Sequence, residues 1–156
     1  MEFHVRSARL TDVDAAIRIL VHDATDPGEQ RDDAVRLRSL LFLPAATVVV
    51  AESAKRLVGV GVLSIRPSVR PGPFVGVIDE LGVVGSGPTG ERAAGAAESP
   101  GSTEIGSSII EQLVASARNK GCVRVEVTDP LASAEPELIQ SAGFERRGAL
   151  LSRTIG

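Results

Sequence analysis

The stretch that most constrains this chain is a long amphipathic helix approached through a segment almost devoid of core-forming side chains. Ile105, Ile109, Leu113 and Ala117 recur on one stripe, widened by Ile110 and Val114, which is the period of a helix packing one face on a core. Lys120 suits the negative end of a helix over residues 105–120, and Gly121 suits its termination. Upstream, residues 85–104 are rich in Gly, Ala and Ser and hold no large apolar side chain. Such a segment cannot bury enough surface to offset its ordering entropy, so a mobile loop is expected there. Before it, residues 74–84 form an apolar run of strand type. Strand, small-residue loop and amphipathic helix together require a layered α/β structure, with the helix covering a sheet.

The rest of the chain fills in that sheet. Residues 5–8 alternate as a first strand. Thr11 precedes Asp12 and Asp14, an N-cap and acidic first turn for a helix over 12–21 carrying Val13, Ile17 and Leu20. Residues 23–30 read as a loop, and a second helix is expected over 31–41, with Val35 and Leu40 buried and Pro44 as its stop. Strands over 47–51, 57–65 and 74–84 follow, with Lys55-Arg56 as a turn, which predicts an antiparallel meander. After the long helix come a strand over 122–128, a helix over 133–142 with Pro136 in its first turn, and strand-like character over 144–155. The order is βα(α)βββαβαβ, a mixed α/β domain with one core spanning residues 1–156.

Several function classes are excluded by composition. A formal net charge of −3, four Phe and no Trp or Tyr leave little for neutralising phosphates or stacking bases, so nucleic acid is not an expected partner. The apolar runs are too short for a membrane span. The first residues lack the apolar core of a secretory signal. A single cysteine, Cys122, forms no disulfide framework and no cysteine-rich zinc site. A cytoplasmic protein is the expectation.

Two features carry chemistry. Gly101-Ser102-Thr103-Glu104-Ile105-Gly106-Ser107-Ser108 leads into the long helix. The first N–H groups of a helix lack internal partners, and the dipole is positive there, so a phosphate is attracted. The alternative is a plain helix start. Gly82, inside the apolar strand, marks either a bulge whose backbone N–H groups polarise a carbonyl, or tight packing under a helix.

With the element order, these motifs resemble the GNAT superfamily of N-acetyltransferases over nearly the whole chain. Val5-Arg6-Ser7-Ala8-Arg9-Leu10-Thr11-Asp12-Val13-Asp14 looks like the family's opening strand and helix, and Val77-Ile78-Asp79-Glu80-Leu81-Gly82-Val83-Val84 like its fourth strand. Ile105-Gly106-Ser107-Ser108-Ile109-Ile110 resembles its cofactor helix, and Leu138-Ile139-Gln140-Ser141-Ala142-Gly143-Phe144 its closing pattern. The resemblance implies a mostly antiparallel sheet flanked by helices, with acetyl-CoA as cosubstrate. Its pantetheine arm would pair with the backbone around Val83 and Val84, between splayed fourth and fifth strands. Its pyrophosphate would sit at Gly106 and Ser107, with Gly101, Ser102 and Thr103 in the adjoining loop. An amine of a small molecule or a protein amino group would attack the thioester directly, and a homodimer is compatible with the pattern.

The sequence departs from that pattern at two places. Gly101 stands for the usual Gln or Arg of the pyrophosphate loop, and Glu104 for its first Gly; a literal match, Arg92-Ala93-Ala94-Gly95-Ala96-Ala97, lies inside the expected loop. Ile139 occupies the position of the family's tyrosine, so the usual proton donor to the departing thiolate is missing. The preferred general base is Glu80, beside the expected bulge, with Asp79 expected on the opposite face of the sheet. His4 and His22 are too far apart for a shared site, and Cys122 reads as a structural thiol. Asp23, Asp26, Glu29, Asp32 and Asp33 form either a solvated acidic loop or an attractant for a cationic amine. The alternative to an enzyme is a catalytically weak or inactive acyl-CoA-binding module.

Overall fold

A computed structural model describes residues 2–21, 26–85, 100–148 and 151–155. His22, Asp23 and the Arg92 motif lie outside them. The elements run β1 (His4–Ser7), a 3-10 turn (Leu10–Asp12), α1 (Val13–Leu20), α2 (Pro27–Leu40), β2 (Ala46–Ser53), β3 (Arg56–Pro67) and β4 (Phe74–Val83). They continue with α3 (Pro100–Asn119), β5 (Cys122–Val127), α4 (Leu131–Ala134) and α5 (Pro136–Ser141). The strands form one sheet in the order β1-β2-β3-β4-β5. The first four pair antiparallel, giving the expected meander, while β4 and β5 are parallel, as a connection through a crossover helix requires.

Each face of the sheet has its own core. Val49, Leu63 and Ile78 pack with Ile105, Ile109, Ile110 and Leu113 of α3. On the other face Val48, Val50, Val60 and Val62 pack with Val13, Ala16, Ile17 and Ile19 of α1 and Leu37 of α2. Close approach of α3 depends on missing side chains in β3. A Cβ at Gly61 would lie 2.5 Å from Ile109 Cγ2 and 2.9 Å from Leu113 Cδ1, so the helix rests on bare backbone. At the far end of α3, Lys120 Nζ donates to Pro44 O at 2.9 Å and Thr47 Oγ1 at 3.1 Å. Gly121 adopts φ +88, the left-handed conformation that ends helices with least strain.

Several boundaries differ from expectation for identifiable reasons. α2 begins at Pro27 rather than near residue 31. Asp26 caps it by accepting the Gly28 N–H at 2.8 Å, and Pro27 occupies the one position where a missing donor costs nothing. Val35, expected in the core, is exposed, and Leu37 is the buried residue of that helix. Asp12 is buried against Arg6 rather than facing the start of α1. Ala54 and Lys55, both at positive φ, make the turn assigned to Lys55-Arg56. α3 starts at Pro100, so residues 100–104 are helical rather than loop. Pro136 divides the last helix into α4 and α5. No described residue of 144–155 lies in a strand, so the last expected strand is corrected to irregular chain. Its polar run Glu145-Arg146-Arg147 offers no apolar side chain to a sheet face.

Candidate active site

The centre of interest is the middle of β4. Along β3, Val62 is opposite Glu80 but Leu63 is opposite Ile78, so Asp79 is the extra residue of a β-bulge. Gly82 is not the bulge: it pairs regularly with Val60. A Cβ there would meet Ile19 Cγ2 at 3.0 Å and Ile19 O at 3.2 Å, so this glycine serves close packing beneath α1.

The bulge changes which way the carboxylates point. Ile78 belongs to the core under α3, so the next residue, Asp79, faces α1 and α2. Without an insertion Glu80 would turn back toward α3. Its cross-strand partner Val62 lies instead in the core under α1 and α2, and Glu80 shares that face. The expectation that Asp79 faces away from Glu80 is therefore corrected: the inserted residue puts consecutive carboxylates on one side. Ser64, on the same face of β3, donates a hydrogen bond to Asp79.

Burial among the strands raises the proton affinity of both carboxyl groups above the ordinary range. For Glu80 the negative charges of Asp79 and, on α2, Asp33 add to that effect. Asp33 is itself paired with Arg36. Both β4 side chains still reach solvent, so the groups are displaced without being sealed from a substrate.

β4 and β5 separate at this same point. Their parallel pairing covers Phe74 to Ile78 on β4 and ends at Val127 on β5. From Glu80 to Val83 the strand continues to pair with β3 and no longer with β5. Val84 N donates to Val58 O at 2.9 Å. Alternation then directs the main-chain groups of Gly82 and Glu80 toward β3, and those of Val83 and Leu81 toward the side β5 has left. The Val84 N–H is thus engaged with β3. Leu81, which the sequence does not single out, directs its main-chain groups away from β3, a direction that only the strand's hydrogen-bond phase identifies.

α3 brings its first turn to the chain as Gly101, Ser102 and Thr103, following Pro100, which has no N–H. These residues stand at the positive end of the helix dipole. Gly106 and Ser107 sit one turn further in, where the i to i−4 ladder uses their N–H groups. Gly106 is buried for a packing reason: a Cβ would lie 2.8 Å from Leu138 Cδ2 of α5. Glu104 is exposed. Ile139 is 7% exposed and belongs to the core under α3, while the Ser141 hydroxyl donates to Leu138 O at 2.9 Å.

Other singled-out residues lie apart from β4. His4 contacts Glu52 at 3.2 Å on the β1 edge, three strands away. Cys122 opens β5, partly buried, its thiol pushed up by burial. Asp26, Glu29, Asp32 and Asp33 all fall on or at the start of α2. No helix among the described residues is long and apolar enough to cross a membrane.

No family model and no curated protein matches the sequence. Solved structures do. A transcriptional regulator from Bacillus halodurans C-125 is 18% identical with a TM-score of 0.74, covering 99% of this chain and 100% of that one. The aminoglycoside N-acetyltransferase AAC(6')-Iy, solved with CoA, is 16% identical with a TM-score of 0.73 over 99% and 95%. Glucosamine-6-phosphate N-acetyltransferase from Arabidopsis thaliana is 15% identical with a TM-score of 0.72 over the full length of both. The fold is the GNAT-like acyltransferase fold expected from the sequence.

Proposed function

We propose that this chain transfers an acetyl group from acetyl-CoA to a primary amine of a small molecule or a protein. The observation that carries the reading is the coincidence, at Asp79, of the β4 bulge with the loss of the β5 partner. That slot suits an extended amide-bearing arm, which can complete the sheet as a strand would. Leu81 offers main-chain groups along it. The first turn of α3, at Gly101, Ser102 and Thr103, suits a diphosphate, because small side chains meet a positive helix end there.

The chemistry follows from the two faces of β4. The Leu81 N–H polarises the thioester carbonyl from the open edge. Glu80, on the α1 and α2 side, takes the proton from the amine nitrogen as the C–N bond forms and the C–S bond breaks. The sulfur leaves with the electron pair. Ile139 has no proton to give and the Ser141 hydroxyl is engaged with Leu138, so water protonates the thiolate. Asp33 and Asp79 add negative charge near the amine's approach and favour a cationic acceptor.

A second reading, an acyl-CoA-binding module without turnover, is favoured by the burial of Ile139 in the core. Two measurements separate the readings. Coenzyme A raises the melting temperature under both, since a ligand of the native state stabilises it. Only an enzyme releases free thiol from acetyl-CoA with a panel of amines, and Glu80→Gln then lowers turnover by roughly 10²–10⁴-fold. No thermal shift at millimolar coenzyme A refutes both.

A further inference from the structure

We propose that Asp79 is a positioning residue for Glu80: held by Ser64 on the same face of the sheet, it keeps the Glu80 carboxylate proton-hungry enough to act as a base. The inference rests on the acetyltransferase reading and adds a residue and a control element to it.

Three observations on β3 and β4 support the pairing. The bulge at Asp79 turns two successive carboxylates to one face, where regular alternation would have separated them. Ser64 fixes the first carboxylate by donating to it. Among the described residues, the charges acting on Glu80 are the negative ones of Asp79 and Asp33. From β3 the neighbours are Val62 and Ser64. From α1, Ile19 and Leu20, both apolar, pack over Gly82, two residues along from Glu80. From α2 the facing charge is Asp33, whose partner Arg36 is engaged with it.

Two like charges so placed disfavour simultaneous ionisation, and they titrate as a pair. The proton lost from the substrate nitrogen forms an O–H bond on Glu80, and the charge of Asp79 stabilises that protonated state. Asp79 touches neither the acyl group nor the amine in this scheme. The partial withdrawal of both carboxyl groups from water strengthens the effect, because their mutual repulsion is less screened there than in bulk water.

The test is a carbon-detected NMR titration of the Glu80 carboxyl group in the full chain, alongside the pH dependence of kcat/KM. In Asp79→Asn the Glu80 midpoint is expected to fall, and the acidic limb of the rate profile to move with it. Ser64→Ala, which releases the Asp79 carboxylate, is expected to move the midpoint in the same direction by less. Asp33→Asn serves as the comparison for a more distant charge and should shift it less than Asp79→Asn. A Glu80 midpoint unmoved by both Asp79→Asn and Ser64→Ala overturns the proposal, even if the enzyme turns over normally. Absence of turnover with every amine overturns the acetyltransferase reading instead, and the titration still reports whether the two carboxylates are coupled.

Discussion

Arg6 grips Asp12 through two parallel hydrogen bonds, Nη1 to Oδ2 at 2.7 Å and Nη2 to Oδ1 at 3.0 Å. The same carboxylate accepts the Arg9 N–H at 2.7 Å, so β1, the 3-10 turn and the start of α1 are fastened at one point. Arg6 and its hydrogen bonds hold the Asp12 carboxyl below its ordinary proton affinity. Asp12→Ala leaves the guanidinium without its buried partner and should cost about 3 kcal/mol in urea unfolding. The stabilisation from Asp12 is fully present above its unfolded titration near pH ~3.9 and is lost as pH falls through the lower folded value. Wild type and Asp12→Ala should therefore converge in stability toward strong acid. An unchanged gap there would show that the carboxylate charge is not what binds these elements.

The contact between Gly59 and Ile109 predicts a rescue. A Cβ at residue 59 would lie 2.6 Å from Ile109 Cδ1 and 2.9 Å from Ile105 Cγ2. Gly59→Ala gains a little by restricting the unfolded chain, but overpacking beneath α3 should dominate, at about 1–3 kcal/mol. Ile109→Val removes the Cδ1 atom and alone costs roughly 0.5–1.5 kcal/mol. The double variant should be more stable than the sum of the two losses, by about 1 kcal/mol in a double-mutant cycle. Strict additivity would mean the helix does not rest on this strand as described.

The pattern of legibility follows from which signals are local. α3 announces itself because Ile105, Ile109, Leu113 and Ala117 must meet one surface, and the structure buries all of them. The meander of β2, β3 and β4 is written the same way, in valine-rich apolar runs. The bulge is not. It exists only as a mismatch between two strands, Val62 against Glu80 and Leu63 against Ile78, and neither strand alone records it. The sequence left Gly82 open between a bulge and tight packing under a helix, which look identical in sequence, and the structure shows the packing. The face shared by Asp79 and Glu80 depends on that mismatch, and the outward direction of Leu81 on the phase of its hydrogen bonds. The start of α2 was legible in principle, since Asp26 followed by Pro27 is an N-cap and a first-position proline.

Thr103→Glu should separate helix stability from ligand binding. Thr103 is exposed in the first turn of α3, where a negative side chain favours the helix by roughly 0.3–1 kcal/mol. The same charge opposes a diphosphate approaching those N–H groups. The expected outcome is an equal or higher melting temperature without ligand. With coenzyme A, calorimetry should give about tenfold weaker binding, equivalent to about 1.4 kcal/mol. The loss should shrink at high salt. Unchanged affinity in low salt would place the diphosphate elsewhere.

Asp79 and Glu80 should give the opposite pH response from Asp12. Burial raises the proton affinity of both, and for Glu80 the charges of Asp79 and Asp33 contribute too. The native chain therefore holds more protons than the unfolded chain between the ordinary carboxylate range and the raised folded values. Stability contributed by these groups is present in acid and falls as pH rises through those folded values. Removing one charge should then stabilise the protein where both would be ionised. Because both groups reach solvent, the gain in Glu80→Gln is set at only about 0.5 kcal/mol near neutral pH, fading toward pH ~4 as the carboxylates protonate. Urea midpoints at several pH values read it directly. A destabilised Glu80→Gln at neutral pH would mean that the carboxylate is held by a favourable partner, and that a repelled, proton-seeking base is the wrong description of it. A stabilised variant that has also lost turnover would locate the conflict between folding and catalysis at this one bulge.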